Sequence, residues 1–144
     1  MSCGMAERVA VRSGSESEEV MSNARRYYQN VKEDRSEWAT NFHCCMGCGG
    51  NGDWRGLQIH EICRRGQASK AWGHRANYLL LCAVCHEGVF ANAPHAFQLA
   101  VKYMRDKEHY SLDDWRNIDD PTRRANRVTE QEVLGWVKIL RSAA

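Results

Sequence analysis

The 144-residue chain lacks any run of 18 or more apolar residues; Leu79-Leu80-Leu81 is far too short to cross a bilayer, so no membrane partner is expected. It lacks an internal repeat, which argues against a solenoid or array. It lacks an excess of either charge: 20 Lys and Arg against 18 Asp and Glu leave a net charge of +2, and that balance alone points to no partner. The N-terminus lacks an apolar h-region. After Val11 it drifts into Ser13, Gly14, Ser15, Glu16 and Glu18, and residues 1 to about 15 are expected to form a disordered tail with no secretory signal. An even cysteine count is missing too. Seven cysteines do not make a secreted disulfide framework, and a reducing cytosol is the compartment they fit.

What is present is concentrated in the middle of the chain. A chain of this size is one domain and buries roughly two-thirds of its unfolded surface. Cys45-x2-Cys48 and Cys82-x2-Cys85 are two knuckles whose four thiolates fit a closed, tetrahedral structural zinc site. Cys3, Cys44 and Cys63 are left over, and Cys44 offers an alternative first ligand through a Cys-x3-Cys spacing. Between the knuckles lie His60, Glu61 and Asn77, and His86 follows the last cysteine directly. That second set fits an ion with open coordination positions, one that takes part in chemistry. Two interleaved ligand sets are more than a single zinc ribbon requires.

The surrounding pattern gives each motif a place. A polar helix is expected from Ser17 to about Lys32, with Val20, Ala24, Tyr27, Tyr28 and Val31 loosely at helical spacing. Gly47, Gly49, Gly50 and Gly52 allow the turns of a metal knuckle over residues 43–53. Leu57-Gln58-Ile59-His60 alternates as a half-buried strand, running on through Glu61 and Ile62, and Asn77–Leu81 reads as a second strand. A helix from Ala83 would carry His86 in its first turns. Pro94 opens another, with Phe97, Leu99, Ala100, Tyr103 and Met104 inward. Ser111 to about Asn117 predicts a short helix anchored by Trp115. Thr129-x2-Glu132 is a capping box ahead of the stripe Val133, Trp136, Val137 and Leu140. The flanking helices are expected to be scaffold. His43 and His74 are expected at the surface or behind the ligands, and Trp54 and Trp72 packed over the knuckle.

Local charge says more than the total. From Arg55 to Arg75 run Arg55, Arg64, Arg65, Lys70 and Arg75 against the single acid Glu61, and Arg123, Arg124 and Arg127 form a second basic group. Basic surface beside a metal site suits a phosphate-rich partner.

Taken in order, Cys45-x2-Cys48, Leu57-Gln58-Ile59-His60-Glu61-Ile62, Asn77–Leu81 and Cys82-x2-Cys85-His86 resemble the HNH endonuclease family in its zinc-stapled, ββα-metal form. The resemblance covers residues 43 to about 90, roughly a third of the chain. It implies an α+β, mainly α, fold: an N-terminal helical segment over 16–42, the nuclease module over 43–92 and a C-terminal helical extension over 93–144. It implies a structural Zn²⁺ on Cys45, Cys48, Cys82 and Cys85, and a catalytic Mg²⁺ or Mn²⁺ on His60 and His86. Asn77 matches the residue that braces the loop between the strands or, in some members, binds the metal. The implied reaction is hydrolysis of DNA to 5′-phosphate and 3′-hydroxyl ends, with Arg64, Arg65, Lys70 and Arg75 toward the nucleic acid. Free-standing modules of this kind are expected in phages and mobile elements, in the cytoplasm of a bacterial or phage-infected cell. A homodimer is one arrangement for cutting both strands.

Where the family normally carries a general-base His, this chain has Glu61. Three readings follow: Glu61 is the base; Glu61 is a further ligand and His60 the base; or catalysis is damaged. Neighbouring strand residues point to opposite faces, so His60 and Glu61 share a site only if the strand end twists or bulges. Against the nuclease stand a non-catalytic zinc-binding DNA-binding or assembly module and a zinc-ribbon adaptor between proteins.

Overall fold

The computed structural model describes residues 22–50, 56–63, 73–118 and 127–143. The described part is mainly helical around a two-stranded antiparallel sheet. Helix α1 spans Asn23–Ala39 and starts at Ser22, whose side chain accepts from the Arg25 N–H at 3.2 Å. It runs seven residues past the expected end at Lys32, because its anchor comes late: Val31 is followed one heptad on by Trp38, which is fully buried. The expected Ser17 cap lies outside the described residues.

Strand β1 is Gln58–Glu61 and β2 is Tyr78–Leu81, with His60 opposite Leu79 and Glu61 opposite Tyr78. All four β2 residues are fully buried. That follows from their chemistry, since four large apolar side chains on both faces of a strand need cover on both faces. Among the described residues the second edge of β2 is closed without a third strand. Met46 N–H donates to the Leu80 carbonyl at 2.8 Å, and Lys102 Nζ donates to the Tyr78 carbonyl at 2.8 Å.

After β2 the chain makes one helical turn that loosens into a π turn over Cys85–Val89, closed by Phe90 N–H to Cys85 carbonyl at 2.9 Å. The expected helix from Ala83 is therefore short and over-wide where it carries His86. Such turns are often found at functional sites. Helix α2 spans His95–Arg105 behind Pro94, α3 spans Leu112–Arg116, and α4 spans Glu130–Ser142. Caps at Ser111 and Thr129 each accept the N–H three residues on at 3.2 Å. Helix α2 packs on α4, where Phe97 and Trp136 meet edge to face at 5.3 Å between ring centres. Among the described residues no helix is long and apolar enough to cross a membrane.

Two of the buried polar residues, Lys102 and Asp106, form a charged pair inside this core. Lys102 is fully buried; its ammonium meets Asp106 Oδ2 at 2.6 Å and lies over the Trp38 ring at 4.6 Å. Asp106 also accepts from Trp38 Nε1 at 2.8 Å and bonds His109 Nδ1 at 2.9 Å. Burial pushes Lys102 down to about 8, against the pull of Asp106. Burial opposes ionisation of Asp106 as well, yet Lys102, His109 and Trp38 outweigh it and hold the carboxyl below its ordinary value. The network ties α1, β2 and α2 into one frame.

Candidate functional site

The two knuckles converge. The sulfurs of Cys45, Cys48, Cys82 and Cys85 lie within 4.8 Å of one another and can hold a metal ion. An ion about 2.3 Å from each of four sulfurs sets them about 3.8 Å apart; Cys48 and Cys82 sulfurs stand 3.9 Å apart. Backbone N–H groups already point at them: Cys48 N–H to Cys45 Sγ at 3.5 Å, Gly50 N–H to Cys48 Sγ at 3.4 Å, and Cys85 N–H to Cys82 Sγ at 3.5 Å. Burial opposes ionisation of Cys45, but hydrogen bonds from both knuckles outweigh it and bring the thiol down to about 7. Burial and the neighbouring sulfurs push Cys85 up, because a second thiolate in the cluster needs a cation to offset it. Cys44 is buried and disulfide-bonded, against the expectation of fully reduced cysteines, so its sulfur is not free to join the cluster and Cys45 supplies the first ligand. The tight loop depends on its glycines. A Cβ on Gly47 would stand 2.7 Å from the Phe90 ring, and Gly49 takes φ +75°.

Next to the cluster is an open cavity of about 550 Å³, lined by Arg35, Ile59, His60, Glu61, His86 and Glu87. His60 arrives from β1 and His86 from the π turn. Their ring centres are 5.1 Å apart and the rings nearly perpendicular, at 87°. An ion roughly 2.1 Å from one nitrogen of each ring lies about 3.3 Å from each ring centre, so two imidazoles side by side on it have centres about 4.6–5.4 Å apart. The observed separation falls inside that window. Among the described residues, no carboxylate joins the two imidazoles as a third close donor.

Glu61 lines the same cavity, so the alternation of strand side chains does not exclude it; its carboxylate, however, is turned to Arg35 Nη1 at 2.9 Å. Arg35 comes from α1 and lies over the Tyr78 ring, 4.9 Å from its centre. Burial pushes the Tyr78 phenol up to about 12, so it stays neutral beneath the guanidinium. Asn77 is fully buried and works on the backbone. Its Oδ1 accepts from Cys63 N–H at 2.8 Å and from Trp115 Nε1 at 3.0 Å, and its Nδ2 donates to the Cys63 carbonyl at 2.9 Å. It therefore clamps the exit of β1 to the entry of β2, and its oxygen already accepts two donors.

His43 and His74 are exposed. Arg75 is turned into the scaffold: Nη2 meets Asp34 at 2.6 Å and Glu37 at 3.7 Å, and Nη1 lies 3.4 Å from His109 Nε2. Arg64, Arg65, Lys70, Trp54 and Trp72 lie outside the described residues. The residues that sequence reasoning missed are Arg35 and Gln98, the latter with Oε1 2.6 Å from His60 Nε2. Neither carried a signal: Gln98 sits on a helix that read as scaffold, and Arg35 lies past the expected end of the first helix. No known protein family, curated protein or solved structure matches the chain.

Proposed function

We propose that the chain is an HNH-type, metal-dependent DNA endonuclease, with a structural zinc on Cys45, Cys48, Cys82 and Cys85. The observation that carries this reading is the pairing of His60 and His86, brought from separate elements to a spacing that fits one shared ion. Asn77 supports it, because the clamp between the strands holds His60 at a fixed height against the turn that carries His86.

His60 and His86 would hold a Mg²⁺ or Mn²⁺ ion, which supplies positive charge for the scissile phosphate and the departing 3′-oxygen. Glu61 accepts the proton of the attacking water as phosphorus is approached from the far side. Arg35 holds the carboxylate at the cavity wall and supplies a cation where a phosphate enters. The 3′-oxygen leaves, takes a proton from solvent to become the hydroxyl, and the phosphate stays on the 5′ end. Arg64, Arg65 and Lys70, which follow β1 in sequence, are the proposed backbone contacts on DNA. Arg75 would first have to leave Asp34.

The test is nicking of supercoiled plasmid by zinc-loaded protein, with and without added Mg²⁺ or Mn²⁺. Nicking is expected only with the second ion. His86→Ala should lower it at least about 100-fold while zinc content and folding persist. The Arg35–Glu61 ion pair also favours a second reading, a DNA-binding module whose base is locked away. Salt-dependent DNA binding without nicking would select that reading. Neither binding nor nicking would leave a zinc-held adaptor.

A further inference from the structure

We propose that Gln98 is a positioning residue that fixes the tautomer of His60. Gln98 lies on α2, outside the stretch that carries the ligand motifs, and is 3% exposed. Its amide has only one consistent orientation. The Ala93 carbonyl can only accept, and Gln98 Nε2 donates to it at 2.9 Å. Oε1 is thereby the atom that faces His60, 2.6 Å from Nε2. An amide oxygen can only accept, so the proton of a neutral His60 ring sits on Nε2. The lone pair sits on Nδ1.

Nδ1 is therefore the nitrogen whose lone pair His60 would offer to an ion or a proton. A ring that donates its other N–H to a fixed acceptor is also held in rotation and made more basic toward a metal. The acceptor is itself anchored. Lys102, one turn further along α2, bonds the Tyr78 carbonyl, and Tyr78 is the residue of β2 opposite Glu61. The relay thus runs from the α2 backbone through Gln98 to β1, and its length is set by the helix rather than by the knuckle.

The tautomer assignment stands on these bonds alone; its consequence for metal affinity rests on the proposed function. Zinc-loaded full-length protein labelled with ¹⁵N-histidine, observed at pH 8 in long-range ¹H–¹⁵N spectra and assigned with His60→Ala, reads the tautomer directly. The expected result is a His60 protonated at Nε2. Gln98→Met should mix the tautomers and weaken Mn²⁺ binding about 10- to 100-fold. Gln98→Glu keeps an acceptor oxygen and should restore the Nε2–H pattern and most of the affinity. A parent protein with the proton on Nδ1 overturns the assignment without recourse to any variant. So does a folded Gln98→Met with unchanged tautomer. If the parent binds no Mn²⁺ yet shows the Nε2–H form, the nuclease reading fails and the role of Gln98 stands.

Discussion

The sulfur cluster and the imidazole pocket are neighbours in the chain, since Cys85 and His86 are consecutive, yet they are assembled in opposite ways. The cluster is local. Each knuckle brings two sulfurs and its own N–H···S bond, the first on a glycine-lined turn, and the fold only has to bring two knuckles together. The pocket is finished from a distance. His60 and His86 come from the motif, but the groups that orient its acid and its ring, Arg35 and Gln98, come from α1 and α2. A site closed by short-range ligands is legible as spacing, whereas one completed by long-range polar contacts is not.

The largest expected effect tests the local half. Cys82→Ser should unfold the module, since a structural zinc contributes on the order of 10 kcal/mol in small modules. Circular dichroism and zinc content check this, and a stable, metal-loaded mutant would break the four-sulfur assignment. Glu61→Gln comes next and tests the distant half. It removes the proposed base while leaving a hydrogen-bond partner for Arg35, and plasmid nicking should fall about 10²- to 10⁴-fold with unchanged melting. Cleavage at the parent rate would pass the role of base to another group.

A third experiment probes the frame beneath the pocket. Lys102→Met leaves the Asp106 carboxylate buried without its cation and should cost about 3–5 kcal/mol in urea unfolding. Asp106→Leu in the same chain should recover part of that loss. The pH dependence has a definite sign. Asp106 is held below its ordinary value of 3.8, so its contribution is complete above that value and is lost as the pH falls through the lower folded value. Acid unfolding of the parent should show this step, and the double variant should lack it. The smallest effect is local again: Thr129→Ala removes the α4 cap and should cost about 1 kcal/mol without changing metal content.

The same contrast explains what could be read from the sequence. Both strands, the short helix from Ser111, the cap at Thr129 and the four cysteines followed from spacing and residue type. Helix α1 was cut short because Trp38 lies a full heptad beyond Val31, across the polar stretch Lys32–Glu37. The turn at His86 could not be foreseen as a π turn, because its width answers to Phe90 closing on Cys85 and packing against Gly47. On α2, the apolar stripe hid Gln98 and Lys102. A periodicity argument assigns both to solvent, and both are buried because a ring nitrogen and a strand carbonyl required partners. Arg75 was misleading for a related reason: a basic residue in a basic stretch is here satisfied by Asp34.

The claim on which the account turns is that two ions with separate duties occupy adjoining sites. Titration of zinc-loaded protein with Mn²⁺, followed by electron paramagnetic resonance alongside elemental analysis, addresses it most directly. The account predicts one retained zinc and one weaker Mn²⁺ site, with His60→Ala and His86→Ala each removing the Mn²⁺ site and leaving the zinc. Manganese that binds equally well without either imidazole, or zinc that departs with them, would contradict it.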